Sequence, residues 1–380
     1  MTASSVSIAL SPRIRKSPFF DATVNLGVTT FSVYNKTYLP MGYTSPEEEF
    51  WKLINDVTLW DVTCQRVTEI SGPDGFKFMD MLTPRDMTKC RIGQCKYIVM
   101  TDQYGGILND PVVLRLDENT FWLSAADGDI LMWAKGIAVN SGLNVVVREP
   151  EVATMQLQGP KSYPLAVELF GPQVDDIKYY EFIETQIAGC PVILARTGWS
   201  AERGYEIYVR DLAFGEKVWN TVMAAGETYG ITPAVPSRIR RIEAGILDYS
   251  VDMDTDTNPF EVGLDRMVAL DTGRHFIGKT ALEKAKKEGL SRKLVGVQVG
   301  GEPLAYNEHA WPVTKNGEQI GEVTSIVYTP RMEINIGYAM VPMAYTDLGT
   351  TFTVETIKGP RTATVVERPF VDPKKSLSKA

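Results

Sequence analysis

Residues 196–208 read Arg-Thr-Gly-Trp-Ser-Ala-Glu-Arg-Gly-Tyr-Glu-Ile-Tyr, and the rest of the chain is organised around this segment. Apolar and alternating runs flank it and two glycines mark its turns, so the pattern predicts two strands joined by a tight polar loop. The segment brings the indole of Trp199 close to the carboxylates of Glu202 and Glu206. A flat aromatic face beside an anion suits a heteroaromatic N–H edge or a small organic cation. A surface hairpin with a solvated pair of charges is the simpler interpretation, and both stay open at this point.

The composition is that of a globular protein with two or three domains, since 380 residues suffice for several separate cores. Acidic residues outnumber basic ones by 47 to 39, and the net charge of −8 argues against nucleic acid as a partner. No apolar run approaches the roughly 18 residues of a membrane span, and the N-terminus lacks the apolar core of a secretory signal. Four cysteines and two histidines are too few for a disulfide scaffold or for most zinc sites. We therefore expect a reduced, cytoplasmic protein.

The hydrophobic pattern predicts an α+β region followed by a β region. Ser45 and Pro46 are typical of a helix start, with acidic residues in the first turn. From about residue 294 the alternation is nearly all period two, which predicts a separate antiparallel barrel or sandwich. The other predicted elements are helices at 74–82, 129–140, 162–170, 213–229, 238–247 and 279–288, and strands at 96–101, 107–116, 120–125, 143–148, 154–158, 178–187 and 192–197.

Two local patterns resemble known ligand loops, but their chemistry does not fit. Residues 273–280 match the phosphate-binding P-loop, yet the middle of the segment is Arg-His-Phe-Ile, which is bulky where backbone N–H groups must converge. Residues 252–263 begin like a calcium loop, but Thr257 stands where glycine is needed and Gly263 where a bidentate glutamate is needed. We expect neither a nucleotide nor calcium at these places.

Three polar clusters remain as candidates. Asp110 lies inside an otherwise apolar predicted strand, so it is either a structural acceptor or a site residue. Glu261 lies in a turn shaped by proline and glycine, where a local cap and a functional role are equally open. Residues 238–241 place three arginines on one short helix. A solvated face is the ordinary outcome for such a run, and a site for a carboxylated ligand is the alternative.

Taken in order along the chain, these clusters resemble one family, the folate-dependent aminomethyltransferases that include the T-protein of the glycine cleavage system. The resemblance covers nearly the whole chain, and none of its motifs is decisive alone. The motifs are LWDV at 59–62, GGIxxD at 105–110, LQGP at 157–160, RTGxxxExGYEI at 196–207, RxEAG at 241–245, PxExGL at 259–264, FIGKxAL at 276–282 and GxVTS at 321–325.

The resemblance implies an α+β fold in which two interleaved α+β subdomains surround a central channel and bind folate, followed by an antiparallel β-barrel. On this basis residues 1–290 form the folate-binding region, 291–372 the barrel domain and 373–380 a loose tail. The apparent P-loop is then the FIGK segment of the family.

The resemblance also implies roles for individual residues. Asp110 matches the family's catalytic aspartate near the folate nitrogens. Glu206 is expected to bind the pterin edge of tetrahydrofolate, because a carboxylate suits two adjacent N–H donors. Tyr97, Gln65 and Arg238 are expected on the folate side of the same channel.

Several positions depart from the family's pattern. Residues 64–65 are Cys-Gln where glycine-cleavage members carry His-Met, and Asn109 replaces the first of their paired acids. Trp199 replaces their tyrosine, and their folate-side arginine becomes Ser237, with Arg238 one place along. These changes imply that the folate is kept while the one-carbon donor differs.

The departures resemble the family members that move a methyl group from a sulfonium compound to tetrahydrofolate. A sulfonium is a permanent cation, and the indole of Trp199 would hold it better than a phenol by about 0.5–2 kcal/mol. Tyr208 is expected to supply a second aromatic face, and Lys96 with Ser124 a cation and a hydroxyl for the substrate carboxylate.

The expected protein is therefore a methyltransferase that takes a small sulfonium substrate and tetrahydrofolate, without a metal or a flavin. An ordinary aminomethyltransferase is the first alternative, which Cys64, Asn109 and Trp199 disfavour. A folate-binding protein without activity is the second, disfavoured because the Lys-Gly-Cys segment of such relatives is missing. The sequence leaves the oligomeric state open.

Overall fold

The computed structural model of the protein describes residues 10–380. Its helices are α1 Phe20–Asn25, α2 Pro46–Asn55, α3 Gly75–Met81, α4 Ile130–Asn140, α5 Ser162–Phe170, α6 Gly215–Gly226, α7 Arg238–Glu243, α8 Lys279–Glu288 and α9 Ser376–Lys379. Within these residues we find no helix with the length and apolar character needed to span a bilayer.

The strands fall into two larger sheets, a barrel and two short ribbons. They are β1 Thr30–Tyr34, β2 Thr37–Gly42, β3 Thr58–Asp61, β4 Arg66–Ser71, β5 Cys95–Tyr97, β6 Met100–Thr101, β7 Ile107–Asn109, β8 Val112–Arg115, β9 Phe121–Ala125, β10 Val146–Arg148, β11 Ala153–Gln158, β12 Phe182–Ile187, β13 Cys190–Ala195, β14 Gly204–Val209, β15 Thr232–Pro233, β16 Arg292–Val299, β17 Trp311–Lys315, β18 Glu318–Thr329, β19 Ile334–Pro342, β20 Thr351–Thr356 and β21 Gly359–Val366.

The two larger sheets are interleaved along the chain. One has the order β10-β4-β9-β8-β5 and the other the order β12-β13-β14-β11-β3-β15. The chain places β3 in the six-stranded sheet, then builds the whole five-stranded sheet, and returns with β11 beside β3. The expected α+β fold of two interleaved subdomains is therefore confirmed.

Helices cover the outer faces of both sheets, and the inner faces pack on each other. Trp219 of α6 is fully buried against the six-stranded sheet, and Phe78 of α3 against the five-stranded sheet. Between the sheets, the rings of Trp122 and Tyr208 lie 6.2 Å apart. Burying such aromatic side chains stabilises the fold by about 1.5–3 kcal/mol each. The functional cleft described below lies beside this shared inner layer.

The predicted helix start at residue 45 is confirmed in detail. The hydroxyl of Ser45 accepts a hydrogen bond from the N–H of Glu48, and the Glu48 carboxylate accepts one from the N–H of Ser45. This reciprocal pair, with Pro46 in the first turn, satisfies N–H groups that have no partner within the helix. The helix predicted at 238–247 ends earlier, at Glu243, and the backbone turns at Gly245 with φ of +70°.

The strands predicted at 96–101 and 107–116 are each broken in two. Strands β5 and β8 belong to the five-stranded sheet, whereas β6 and β7 pair only with each other. Asp110 and Pro111 lie in the break between β7 and β8. Proline has no N–H to give to a sheet, which favours a break at this place. Asp110 is therefore not inside a strand, as the sequence pattern suggested, but at a point where the chain passes between two sheets.

The C-terminal β region is a closed, antiparallel six-stranded barrel in the order β16-β19-β18-β17-β20-β21. Strand β16 pairs with both β19 and β21, and this double pairing closes the barrel. The alternating pattern of the sequence places one face of each strand in an apolar interior that includes Val297, Trp311, Ile326 and Phe352. The expected barrel is confirmed.

The end of the chain is docked rather than loose. Residues Ser376–Lys379 form α9, and Ser378 is only 3% exposed. The guanidinium of Arg196, at the start of the central hairpin loop, donates a hydrogen bond of 2.8 Å to the carbonyl of Lys379. The expectation of a loose tail at 373–380 overlooked this contact, which a polar sequence does not reveal.

Candidate active site

A cleft with an empty volume of about 820 Å³ opens where the inner edges of the sheets meet β2 and the loop before α7. Its apolar walls include Leu39, Met41, Val62 and Leu247. The charged side chains that line it are three carboxylates and one guanidinium, namely Asp110, Asp127, Asp248 and Arg238. With every group ionised, this set is net negative, and such a cleft attracts a cationic ligand.

Asp110 is held at the wall of the cleft by its neighbours. The hydroxyl of Tyr97 donates a hydrogen bond of 2.8 Å to Oδ2 of Asp110, and the side-chain carbonyl of Asn109 accepts one of 2.9 Å from the Asp110 N–H. The side-chain amide of Asn109 in turn donates to the carbonyl of Asp127 at 2.7 Å. Burial raises the pKa of Asp110 to about 8, and the hydrogen bond from Tyr97 opposes this rise. A carboxylate with such a pKa can exchange a proton near neutral pH.

Trp199 lines the cleft and is partly exposed to it. Its backbone N–H donates a hydrogen bond of 3.3 Å to Oε1 of Gln156. The buried guanidinium of Arg241 lies 5.8 Å from the centroid of the indole. The indole is thus held between protein and cleft and is not sealed in the interior, so it remains available to a ligand.

The loop that carries Trp199 is folded around the amide of Gln158. The amide donates to the carbonyl of Thr197 at 3.2 Å and accepts from the hydroxyl of Ser200 at 2.5 Å. A Cβ at Gly198 or Gly204 would lie 2.2 or 2.4 Å from this amide, so only glycine allows the close approach. The two glycines of the segment therefore fix the position of the indole.

Glu206 lies behind the cleft wall and is 3% exposed. It stands directly opposite Gln156 in the pairing of β14 with β11, and Nε2 of Gln156 donates to Oε1 of Glu206 at 2.8 Å. The hydroxyls of Thr197 and Tyr208 also donate to Glu206. Burial raises the pKa of Glu206, while these hydrogen bonds oppose the rise. Gln156 lines the cleft, and the expected pterin anchor lies directly behind it.

Ser124 and Tyr208 stand in this same inner layer. The hydroxyl of Ser124 donates a hydrogen bond of 3.3 Å to Oε1 of Gln65, which itself lines the cleft. The side chain of Tyr208 is fully buried against Trp122 and does not line the cleft. The structure therefore places these two residues behind Gln65 and not on the surface of the cleft.

Lys96 does not line the cleft either. It precedes Tyr97 in β5, and successive side chains of a strand point to opposite faces. Because Tyr97 faces Asp110, Lys96 points away from it, toward the charges of Arg85 and Arg91. Burial and then the charge of Arg85 lower the pKa of Lys96. The structure thus separates Lys96 from Trp199, with which the sequence interpretation had grouped it.

The three arginines of α7 are not one solvated face. Arg240 and Arg241 are fully buried, Arg240 in an ion pair of 2.6 Å with Glu202 and Arg241 in one of 2.7 Å with Asp252. Both ordinary interpretations of the sequence, a solvated hairpin and a solvated arginine face, are therefore wrong. They failed because each of these arginines meets a buried carboxylate, Arg240 that of Glu202 in the hairpin loop and Arg241 that of Asp252.

The third arginine, Arg238, lies at the cleft. The hydroxyl of Ser237 caps α7 by accepting from the N–H of Arg240 at 3.2 Å. Arg238 follows this cap directly, and its guanidinium lies 4.3 Å from the centroid of the Tyr306 ring. The cap and the stacking together place one guanidinium at the cleft.

Glu261 has a structural role. Its carboxylate accepts a hydrogen bond of 2.9 Å from the N–H of Asn258 and one of 3.0 Å from Nε of Arg292. It does not line the cleft. Of the two interpretations left open by the sequence, the geometry favours the local cap.

The sequence interpretation missed several residues of the cleft. Gln156, Asp127 and Asp248 all line it, and none was singled out. A signal for Gln156 was present, because Thr154, Gln156 and Gln158 alternate on one face of β11 and are all buried. A row of polar side chains in a buried strand indicates a polar interior site. For Asp127 and Asp248, which lie in loops, no pattern marks the position.

No group of three or more His, Cys, Asp or Glu side chains within residues 10–380 is arranged to hold a metal ion. All four cysteines are unpaired and buried.

Comparisons with known proteins define the class to which this fold and cleft belong. The family model for the GCVT N-terminal domain matches residues 19–272, and that for the glycine cleavage T-protein C-terminal barrel domain matches residues 292–372. The chain therefore belongs to the glycine cleavage T-protein family of tetrahydrofolate-dependent transferases, as its motifs indicated.

Among individual relatives, dimethylsulfoniopropionate demethylase of Ruegeria pomeroyi is 36% identical over 95% of this chain and 98% of its own length. The aminomethyltransferase of Halothermothrix orenii is 32% identical over 94% of this chain and all of its own length. The crystal structure of glycine cleavage system aminomethyltransferase T from Bartonella henselae covers 95% of this chain and 99% of its own with a TM-score of 0.86. At 22% identity, that last similarity shows the fold.

Proposed function

We propose that this protein transfers a methyl group from dimethylsulfoniopropionate to tetrahydrofolate, yielding 3-(methylthio)propanoate and 5-methyltetrahydrofolate. The observation that carries the proposal is one cleft that combines the indole of Trp199 with the carboxyl groups of Asp110, Asp127 and Asp248. A permanent sulfonium cation is complementary to both features. The similarity to the demethylase of Ruegeria pomeroyi supports the same donor.

The cleft suits the donor because its carboxylates are only partly paired by the protein. Asp127 and Asp248 lie in its lining with Arg238, and Asp248 is 3.9 Å from the guanidinium of Arg241. Burial raises the pKa of Asp248, and a cation that enters the cleft would favour the ionised form of this carboxylate. After transfer the sulfur carries no charge and is no longer attracted by the carboxylates and the indole, which favours release of the product.

The same cleft fits a reduced pterin. Apolar side chains form its walls, and the amides of Gln65 and Gln156 present both donors and acceptors to a flat polar edge. Glu206 accepts from Gln156 and supplies negative charge behind that amide. In our proposal Gln65, Gln156 and Glu206 hold the N–H edge of the pterin, and Tyr97 positions Asp110 close to its reactive nitrogen.

Arg238 is our candidate for carboxylate recognition. Among residues 10–380 it is the single cation in the cleft lining, whereas Lys96 lies on the far face of its strand and Ser124 lies behind Gln65. Both proposed ligands end in a carboxylate, and a guanidinium is suited to bind one in bidentate fashion. Separate Michaelis constants of Arg238→Gln for each ligand identify which of the two it holds.

The proposed reaction is a direct displacement at carbon. The bond between sulfur and the methyl carbon breaks, and its electron pair stays on sulfur. The nitrogen N5 of tetrahydrofolate supplies the electron pair of the new bond, becomes positively charged and then loses its proton. Asp110 stabilises this charge and accepts the proton, which its pKa of about 8 allows. Holding the three reacting atoms in line contributes about 7–11 kcal/mol at best.

A panel of donors tests this function. The protein is mixed with tetrahydrofolate and with dimethylsulfoniopropionate, a quaternary ammonium acid or an aminomethylated carrier protein, and the folate products are separated. We expect 5-methyltetrahydrofolate with dimethylsulfoniopropionate alone. Formation of methylenetetrahydrofolate from the carrier protein would instead support the aminomethyltransferase reaction, the activity for which relatives at 30–33% identity are named.

We also propose that the protein acts in the cytoplasm, because its four cysteines are free.

A further inference from the structure

A second cleft lies between the folate-binding region and the barrel, with an empty volume of about 1170 Å³. Leu247 lines both this cleft and the candidate active site, so the two are neighbours. The charged residues that line the second cleft are all cations, namely Arg266, Lys293, Arg368 and Lys375. Within the described part of the chain, its lining contains neither aspartate nor glutamate.

These four cations lack counter-ions in the part of the chain that the structure describes. None of them has a carboxylate oxygen within 4.0 Å among residues 10–380. Burial lowers the pKa of Arg368, and burial together with the charge of Arg266 lowers the pKa of Lys375. Like charges gathered without a partner raise the free energy of the fold, and a bound anion would relieve this.

One cation of the second cleft is held in place by contacts with the protein. The guanidinium of Arg368 donates a hydrogen bond of 2.6 Å to the carbonyl of Val262 and lies 5.5 Å from the centroid of the Tyr338 ring. Gly263 has φ of +78°, and a Cβ at this position would lie 3.1 Å from Nη2 of Arg368. The backbone therefore leaves room for one fixed guanidinium, as a pre-organised oxyanion site requires.

We propose that this cleft binds a small anion with two or more negative charges, a phosphate or a polycarboxylate. The site is distinct from the cleft proposed above for the methyl donor and folate, and the proposal holds whether or not the proposed reaction is correct. Four cations around one space match clustered oxyanions better than a single carboxylate.

Calorimetric titration of the full chain at low salt tests the site, with pyrophosphate and tricarballylate as separate probes. The double variant Arg266→Gln, Lys293→Gln removes two cations that have no ion pair within residues 10–380, so the fold should be kept, which its melting temperature verifies. We expect it to bind the preferred probe roughly 100-fold more weakly, about tenfold for each lost charge-assisted contact.

The control is Arg13→Gln, Lys287→Gln, which makes the same change in net charge at exposed positions outside the cleft. It should bind like the parent protein. The probe that binds more tightly identifies phosphate or carboxylate as the preferred chemistry. The proposal would be overturned if neither probe bound at millimolar concentration, or if the control variant lost as much affinity as the double variant.

Discussion

The hydroxyl of Tyr97 lies 2.8 Å from Oδ2 of Asp110 and donates a hydrogen bond to it, beside the break that separates β7 from β8. Burial favours the protonated carboxyl, and this hydrogen bond favours the ionised one. The balance leaves the pKa of Asp110 at about 8. In the proposed reaction, Tyr97 thus sets the pH at which Asp110 can accept a proton.

Replacing Asp110 by Asn should lower kcat by roughly 100- to 1,000-fold, because the proton acceptor and the charge that stabilises the transition state are both lost. In the parent protein kcat/KM should rise with pH around a midpoint of about 8, as the carboxyl ionises. The variant should lack this step. Steady-state kinetics between pH 6 and 9 measure both effects, and activity within about threefold of the parent would remove Asp110 from the scheme.

The same variant, Asp110→Asn, should be less active than the parent protein but more stable at high pH. The pKa of Asp110 is raised in the folded protein, so the folded state binds a proton that the unfolded state has released above about pH 4. The stabilisation that the folded state gains from this bound proton is fully present below about pH 4 and is lost as the pH rises through about 8. Asp110→Asn should therefore be more stable than the parent at pH 9 by at least about 1 kcal/mol in urea unfolding. A less stable variant at pH 9 would contradict the raised pKa.

Replacing Tyr97 by Phe removes the hydrogen bond that favours the ionised form of Asp110. The pKa of Asp110 should rise further, and the midpoint of the profile of kcat/KM should move up by about one pH unit, equivalent to one hydrogen bond. Maximal activity at high pH should be largely kept. A midpoint that stays in place or moves down would show that Tyr97 does not act through Asp110.

Trp199→Tyr should raise the KM for the sulfonium donor by about 2- to 30-fold, because a smaller aromatic face holds the cation less well. The KM for tetrahydrofolate should change little. Binding of the product, whose thioether sulfur is uncharged, provides the control when measured by competition, since the lost interaction needs a positively charged sulfur. An unchanged KM for the sulfonium would exclude the role of the indole.

Glu202 belongs to the motif that marks the family, but its role here is structural. It pairs at 2.6 Å with Arg240, and both side chains are at most 5% exposed. Glu202→Gln should lower the free energy of unfolding by about 3–5 kcal/mol, because the buried guanidinium then keeps only its longer ion pair of 3.8 Å with Glu243. Glu184→Gln, which breaks an exposed ion pair with Arg210, should change it by no more than about 1 kcal/mol. Similar values for the two variants would contradict this assignment.

The course of the chain could be predicted in large part from local patterns. The cap at Ser45, the helix at Lys279–Glu288 and the alternation of the barrel are local in sequence and appear where expected. The break at Asp110 was missed although Pro111 is a local signal for it, and which sheet each half joins depends on distant strands.

The site was predictable in its residue types more than in its arrangement. Trp199 and Asp110 line the cleft. Lys96 could be excluded from the cleft only from the structure, because the side chain of its neighbour Tyr97 points toward Asp110. The burial of Arg240 depends on Glu202, 38 positions earlier, and no periodicity reveals such a pair. Sequence alone therefore indicates a charged site without deciding which charges face the ligand.

The most direct test of the central claim follows a methyl group labelled with carbon-13 on the sulfonium of dimethylsulfoniopropionate. The protein is incubated with this donor and tetrahydrofolate, and the folate and sulfur products are examined by NMR. We predict the label on N5 of 5-methyltetrahydrofolate, together with an equal amount of 3-(methylthio)propanoate. A labelled donor that remains intact, while the same protein sample releases methylenetetrahydrofolate from an aminomethylated carrier protein, would contradict the account.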